Sequence, residues 1–195
     1  MIIGITGGSG SGKTTLLHII REQGGLVLDC DAIYHQLLET DPTLLAAIET
    51  RFPGTVENGT LDRKKLGAIV FADESALLDL NRITHSAVHT EVLRRLQNAP
   101  ALAAVDAIGL FEGGLAPLCD VTVAVTAPVE DRIARLMARD GISEEYAKKR
   151  INAQHDDSWF REKCDYTLHN DGELDAFATK CLAFLDTIGI MKENS

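Results

Sequence analysis

Short apolar runs alternate along the chain with longer stretches whose apolar positions recur every three or four residues. Met1–Ile5 is continuously apolar and rich in β-branched residues, which predicts a strand buried on both faces. Helical periodicity follows over Thr14–Gln23, and Leu26–Leu28 predicts a second short strand opening onto Asp29-Cys30-Asp31. The next stretch reads as mostly helical. It holds a helix over Leu44–Phe52, two short helical patterns within Leu61–Leu80 and a longer amphipathic helix over Asn81–Gln97, with turn signals at Pro53-Gly54 and Asn58-Gly59. No strand is expected there, so this region reads as an insertion beside a sheet. Alternation then resumes with strands at Leu102–Val105, ending on Asp106, and at Val121–Val125. A helix over Val129–Arg139 has Pro128 near its first turn, and Ser143 caps a further helix to about His155. Tyr166–Leu168 predicts the last strand, Glu173–Ile188 the closing helix, and Met191–Ser195 a frayed tail.

Strand–helix alternation implies an α/β fold with a parallel sheet covered on both faces. Ligands of such sheets sit beyond the carboxyl ends of the strands. Gly7, Asp31, Asp106 and the loop after Val125 are therefore expected to meet at one edge.

Composition narrows the function classes. The 195 residues, 45% hydrophobic and 25% charged, suit one globular domain with a sizeable core. A net charge of −10 argues against broad nucleic-acid binding and against docking on an anionic membrane, yet leaves room for one phosphorylated small molecule. Cys30, Cys119, Cys164 and Cys181 are widely spaced, as reduced thiols of a cytosolic core would be. The opening MIIGITGG lacks the pattern of a signal peptide, and no run approaches the ~18 apolar residues of a membrane span. A cytoplasmic protein is expected.

One motif carries specific chemistry. Gly7-Gly8-Ser9-Gly10-Ser11-Gly12-Lys13-Thr14 matches GxxxxGK[ST] at every fixed position, between a predicted strand and a predicted helix. Backbone N–H groups and the positive end of the helix cradle a β-phosphate in such a loop. Lys13 reaches the β- and γ-phosphates, and the Thr14 hydroxyl is placed for Mg²⁺. The motif predicts nucleotide binding, ATP above all, without saying what is done with the nucleotide.

Other polar residues offer two readings each. Strand alternation sends Asp29 and Asp31 to the same side, where one carboxylate accepts an acceptor hydroxyl's proton or instead caps a helix over Ala32–Leu38. Asp106, closing an apolar run, resembles a Walker B aspartate, and Glu112 is a second acidic candidate or a structural residue. Arg132, Arg135 and Arg139 form a stripe on one predicted helix, with Arg150 on the next. They suit a lid over transferring phosphate or a solvated face with pairs such as Asp131–Arg135, Glu144–Lys148 and Glu145–Lys149. His18, His35, His89, His155 and His169 show no metal-ligand spacing with one another, and His85, four residues after Asn81, reads as a capping or core-edge histidine.

Taken together, these residues resemble the dephospho-CoA kinase family. Gly4-Ile5-Thr6 through Thr15 looks like that family's P-loop, and Asp29-Cys30-Asp31-Ala32 looks like its DAD segment. Asn58-Gly59-Thr60-Leu61-Asp62-Arg63, Leu66-Gly67, Val70-Phe71 and Leu80-Asn81 with His85 resemble its substrate-domain signature. Leu110-Phe111-Glu112, Arg135-Leu136-Met137, Arg139-Asp140, Arg150-Ile151 with Gln154, and Asp165-Tyr166 with Asn170 resemble its lid and last strand. The likeness runs from Ile2 to about Leu185.

The resemblance implies a P-loop NTPase-type parallel sheet flanked by helices, with a core of about 1–30, 100–130 and 164–190. It implies a helical acceptor-binding insertion of about 31–98 and a helical lid of about 131–156. It implies transfer of the ATP γ-phosphoryl group to the ribose 3′-hydroxyl of dephospho-CoA, with Asp31 as base and Lys13 and Arg139 assisting. Gly8, Gly10, Ser11, Gly12, Lys13, Thr14, Thr15 and Arg139 would then hold ATP, with Asn170 near its adenine and Thr14 on Mg²⁺. Asn81 and His85 would join Asp31 at the acceptor, and a monomer or weak homo-oligomer is expected. Cys30, His35, Ser86 and Ile108-Gly109 depart from the family's usual Ala, Arg, Pro and Pro-Leu. None touches the phosphate loop or Asp31, so activity is expected to survive. Two other readings are another small-molecule kinase, against which the Leu61–His85 region speaks, and a nucleotide-dependent binding module, although no NKxD segment is present.

Overall fold

Five parallel strands in the order β2-β5-β1-β6-β7 form the central sheet of the computed structural model, which describes residues 1–190. The tail expected at 191–195 lies outside those residues. The elements run β1 (Ile2–Thr6), α1 (Lys13–Glu22), β2 (Leu26–Asp29), α2 (Cys30–Thr40), α3 (Pro42–Arg51), β3 (Val56–Glu57), β4 (Thr60–Leu61), α4 (Arg63–Val70) and α5 (Glu74–Leu96). Then come β5 (Ala103–Asp106), a 3₁₀ turn at Ala116–Leu118, β6 (Val121–Thr126), α6 (Val129–Asp140), α7 (Glu144–Asn152), α8 (Asp157–Lys163), β7 (Tyr166–His169) and α9 (Leu174–Thr187). The parallel sheet flanked by helices is as expected.

β1 lies at the centre, with β5 and β2 on one side and β6 and β7 on the other. The chain thus changes direction across the sheet beside the end of β1, where α/β folds bind ligands. Register brings Asp106 level with both Ile5 and Asp29 at that edge.

Each face of the sheet has its own core. Ile3, Ile5, Leu16, Ile20, Val123, Phe177 and Leu185 bury one face beneath α1 and α9. Leu28, Ile33, Val88, Val92, Val105 and Leu110 bury the other beneath α2 and α5. Each fully buried side chain of this kind contributes about 1.5–3 kcal/mol. A third cluster, including Leu45, Ile48, Phe52, Leu66 and Ala76, holds α3, α4 and the start of α5 together. Leu136, Ala147 and Ile151 form a small fourth cluster between α6 and α7. Among the described residues, no helix is long and apolar enough to cross a membrane.

Several boundaries differ from the periodicity, each for a physical reason. α5 is one helix of 23 residues, not a short pattern ending at Leu80 followed by a helix from Asn81. Its apolar stripe shifts because its first half packs on the insertion cluster and Val88 and Val92 pack on the sheet. β3 and β4 form a small antiparallel hairpin where no strand was expected. Asn58 and Gly59 between them adopt φ of 52° and 75°, the conformation that closes a two-residue hairpin. Strands of two residues are too short for alternation to register. The helix expected to reach His155 ends at Asn152, and Asp156 starts α8 by accepting the Trp159 N–H at 2.9 Å.

The Asp73 carboxylate starts α5 by accepting the N–H groups of Ser75 and Ala76 at 2.8 and 3.3 Å. Asp73→Ala should cost about 1 kcal/mol, as loss of a helix N-cap typically does. Urea denaturation of the two proteins checks this, and an unchanged midpoint would refute it.

Candidate active site

The phosphate loop is built so that its carbonyls are all engaged. Gly7 O accepts from Lys13 Nζ at 3.0 Å, Gly8 O from Ser11 N at 3.1 Å, and Gly12 O from Thr15 N at 3.1 Å. Three more are held by side chains from distant elements. Arg132 Nε donates to Ser9 O at 3.0 Å, Arg135 Nη1 to Gly10 O at 3.2 Å, and Asn170 Nδ2 to Ser11 O at 2.9 Å. Gln154 completes the frame, accepting Ser9 N–H at 2.9 Å and donating to Ser9 Oγ at 2.8 Å. The N–H groups of Lys13 and Thr14, at the start of α1, have no partner within the helix and are free for an anion.

Two glycines are required by this packing. Gly7 has φ of 129°, and a Cβ there would collide with the Val125 carbonyl of β6. A Cβ on Gly8 would collide with the Arg132 guanidinium, which is buried against the loop.

A cavity of about 610 Å³ opens over this loop, lined by Ser9 to Thr14 on one side and by Arg135, Arg139 and Arg150 on another. Gly10, Ser11, Gly12, Lys13, Thr14 and Arg139 from the expected set therefore share it. Thr15 is not on its wall. Arg139 pairs with Asp140 through Nε–Oδ1 and Nη2–Oδ2 contacts of 2.6 and 2.8 Å, and Arg150 Nη1 reaches the same carboxylate at 2.9 Å. Those contacts hold the Asp140 carboxyl below its usual range, the Arg139 bond contributing most. The arginine stripe thus divides. Arg132 braces the loop, Arg135 does so from the cavity wall, and Arg139 and Arg150 face the cavity with spare donors. The expected surface pairs Asp131–Arg135, Glu144–Lys148 and Glu145–Lys149 also form, at 3.9, 2.6 and 3.0 Å.

Asp31 and Asp106 complete the cavity wall. Strand alternation fails for Asp29 and Asp31, because the strand ends at Asp29 and α2 begins at Cys30. Asp29 takes the capping role, its Oδ1 accepting Ala32 N–H at 3.0 Å. Asp31 falls in the first turn of α2, exposed, with no helix-capping duty. Asp106 has a buried Oδ1 without a hydrogen-bond partner. Burial pushes its pKa up from 3.8 to about 6, with Asp29 and Asp31 adding to the rise and Lys13 opposing it. A partnerless buried carboxylate oxygen and the Thr14 hydroxyl on one cavity wall fit a hard divalent cation, which takes oxygen ligands. Cys30 behind them is no nucleophile, since burial first and Asp106 next push its thiol to about 12.

A second cavity, of about 240 Å³, lies against α5. Asn81 and His85 line it together, four residues apart on one face, with Tyr34, Thr84 and Val88. Asp31, Ala107 and Ile108 border both cavities. Tyr34 and Thr84 were not singled out from sequence. Tyr34 follows Asp31 at i+3, a relation that became readable only once α2 was known to start at Cys30. Ser86 faces a different groove, away from this cavity. Glu112 lies on neither cavity, because its Oε1 meets His155 Nε2 at 2.7 Å while His155 stacks on Trp159. Asn170, expected near an adenine, is buried beneath the loop. Gln154 entered the sequence reading only through the lid resemblance, and its bonds to Ser9 are visible only in the structure.

The family model for dephospho-CoA kinase matches residues 1–176 of this chain. The dephospho-CoA kinase of Latilactobacillus sakei subsp. sakei is 34% identical over 191 residues, covering 95% of both chains. That of Thermobifida fusca is 38% identical over 181 residues, covering 89% of this chain and 90% of the relative. The structure of dephospho-CoA kinase from Campylobacter jejuni is similar with a TM-score of 0.67 at 25% identity, covering 96% of each chain.

Two measurements test this geometry. Asn170→Ala should weaken ATP and inorganic tripolyphosphate alike, each by about tenfold, the scale of one lost buried hydrogen bond. Calorimetry that finds ATP weakened and tripolyphosphate unchanged would instead give Asn170 to the base. The second concerns Asp106. Its carboxyl binds a proton more tightly in the folded chain, so stability falls as pH rises from about 4 to about 6. Asp106→Asn removes this loss, on the order of 3 kcal/mol. Denaturation of the ligand-free proteins at pH 4 and pH 7 should show the variant gaining on wild type only at the higher pH. Parallel profiles would refute the shift.

Proposed function

The chain belongs to the dephospho-CoA kinase family, and from that premise we propose that it transfers the γ-phosphoryl group of ATP to the ribose 3′-hydroxyl of dephospho-CoA, forming CoA. This is the last step of coenzyme A synthesis, and we assign it to the cytoplasm. The observation that carries the assignment of residues is the position of Asp31 on the wall shared by the two cavities. A phosphotransferase needs its acceptor hydroxyl in line with the γ-phosphate, hence one residue reaching both sites.

ATP occupies the larger cavity, with its phosphates on the N–H groups of the loop and on Lys13. The acceptor ribose occupies the smaller one, against Asn81 and His85. Asp31 orients the 3′-hydroxyl and accepts its proton as the phosphoryl group leaves ADP. Lys13, Arg139 and Arg150 neutralise charge that spreads over the equatorial oxygens of the loose transition state. Thr14 and Asp106 would hold Mg²⁺, which would supply further neutralisation of phosphate charge. Residues of about 131–156 act as a lid that excludes water, and residues of about 31–98 bind the acceptor.

The test is a coupled assay for ADP release with Mg-ATP and dephospho-CoA, with the product weighed by mass spectrometry. CoA formed in step with ADP supports the assignment, and ATP binding without product defeats it. Asp31→Asn should bind ATP as wild type does and lose about 10²–10⁴-fold in kcat, the usual contribution of a general base. Turnover within a few-fold of wild type would remove Asp31 from that role.

A further inference from the structure

Every polar group of Ser9 is engaged by the segment assigned above as the lid. Its carbonyl accepts from Arg132 Nε at 3.0 Å, its N–H donates to Gln154 Oε1 at 2.9 Å, and its hydroxyl oxygen accepts from Gln154 Nε2 at 2.8 Å. A backbone N–H of a phosphate loop ordinarily serves the anion. Ser9 is buried at the edge of the larger cavity, and its N–H is turned to a side chain instead. It is a point of attachment within the loop. Arg132 Nη2 also donates to Gln154 Oε1 at 3.2 Å, so two donors converge on that oxygen while the amide nitrogen faces Ser9 Oγ. A neutral amide makes all three contacts without adding charge beneath the phosphates.

The order of these contacts along the chain gives them a further meaning. The segment leaves the phosphate loop at Arg132 and Arg135 of α6 and returns to it at Gln154. Arg139 stands on α6 and is held from the departing end. Arg150 stands on α7, four residues before Gln154, with Ile151 between them in the small cluster that includes Leu136 and Ala147. Gln154 is the first residue after Arg150 to bond the phosphate loop. Beyond it the chain is part of the body, where His155 meets Glu112 at 2.7 Å and Phe160 is buried.

We propose that Gln154 is a positioning residue for phosphoryl transfer, which pins the returning end of the lid to Ser9 and so sets where Arg150 meets the transferring group. An arginine stabilises a transition state only where its donors are already in place. ATP in its ground state is held by the loop's N–H groups and Lys13, which need no such placement. The loss of Gln154 therefore acts on turnover and not on nucleotide affinity. The inference rests on the kinase reading above and adds a residue that works through another.

Gln154→Leu keeps the bulk of the side chain and removes its three bonds. It should lower kcat about tenfold, the scale of one or two lost hydrogen bonds, and leave the dissociation constant for ATP within about threefold by calorimetry. In a cycle with Arg150→Ala, the double variant should turn over as slowly as Arg150→Ala alone. Losses that multiply, or ATP affinity that falls as far as kcat, would overturn the proposal. If Gln154→Leu does not fold, Ser9→Ala takes its place in the same cycle. It removes only the Nε2–Oγ bond and should lower kcat about threefold. Hydrogen exchange of the ligand-free proteins reads the attachment without any acceptor. The α7 amides should exchange faster in Gln154→Leu, with those of β1 and α1 as in wild type, and unchanged exchange over α7 would equally overturn the proposal. Failure of the wild type to phosphorylate dephospho-CoA is a separate result. It would remove the kinase reading, and the exchange measurement would then decide the attachment alone.

Discussion

A loop that binds phosphate through backbone N–H groups must turn its own carbonyls away and satisfy them elsewhere, since each carbonyl aimed at the ligand would repel it. Here every carbonyl from Gly7 to Gly12 has a donor. Half of those donors are side chains from far along the chain. Arg132 and Arg135 come from α6, and Asn170 comes from the end of β7. The nucleotide site therefore exists only when the whole α/β unit is folded. α6 also carries Arg139 to the cavity wall, so the helix that braces the loop also shapes the cavity above it. α7 is joined to α6 by a small cluster of Leu136, Ala147 and Ile151.

The same sheet edge shows how position assigns different work to identical groups. Asp29, Asp31 and Asp106 are three carboxylates near Lys13. Asp29 is used by the backbone of α2. Asp106, level with it across β2 and β5, is buried and holds its proton to about pH 6. Asp31 alone is exposed to both cavities. The charges of Asp29 and Asp31 add to the rise that burial gives Asp106, and Lys13 offsets part of it. Binding a triphosphate with its cation changes this balance, so occupancy of the loop and the charge state of the acidic edge are coupled.

The smaller cavity depends on α5. Its second half is part of the sheet's own core, through Val88 and Val92, while its first half belongs to the insertion's core. One rigid helix thus carries Asn81 and His85 at a fixed distance from the sheet edge. Had the chain broken at Asn81, as its periodicity suggested, Asn81 and His85 would sit on a hinge. A continuous helix makes the distance between the two cavities a property of the fold.

What the sequence determined by itself was whatever depends on local spacing. The phosphate loop, the buried strands and the order of alternation are set by neighbours in the chain, and they could be read directly, as could the ion pairs at i+4. Spacing alone left Asp31 and Asp29 equivalent, because the end of a strand is decided by which backbone groups find partners, and only the family resemblance set Asp31 apart. Tertiary structure alone decided that Arg132 and Gln154 brace the loop and that Asn170 lies beneath it. It also decided that Glu112 is taken up by His155, that α5 is unbroken and that Tyr34 and Thr84 join Asn81 and His85 in one cavity. Those roles come from contacts between residues up to 159 positions apart, such as Ser11 with Asn170. No periodicity encodes such contacts, since they form only when separate elements pack and leave particular polar groups to satisfy one another.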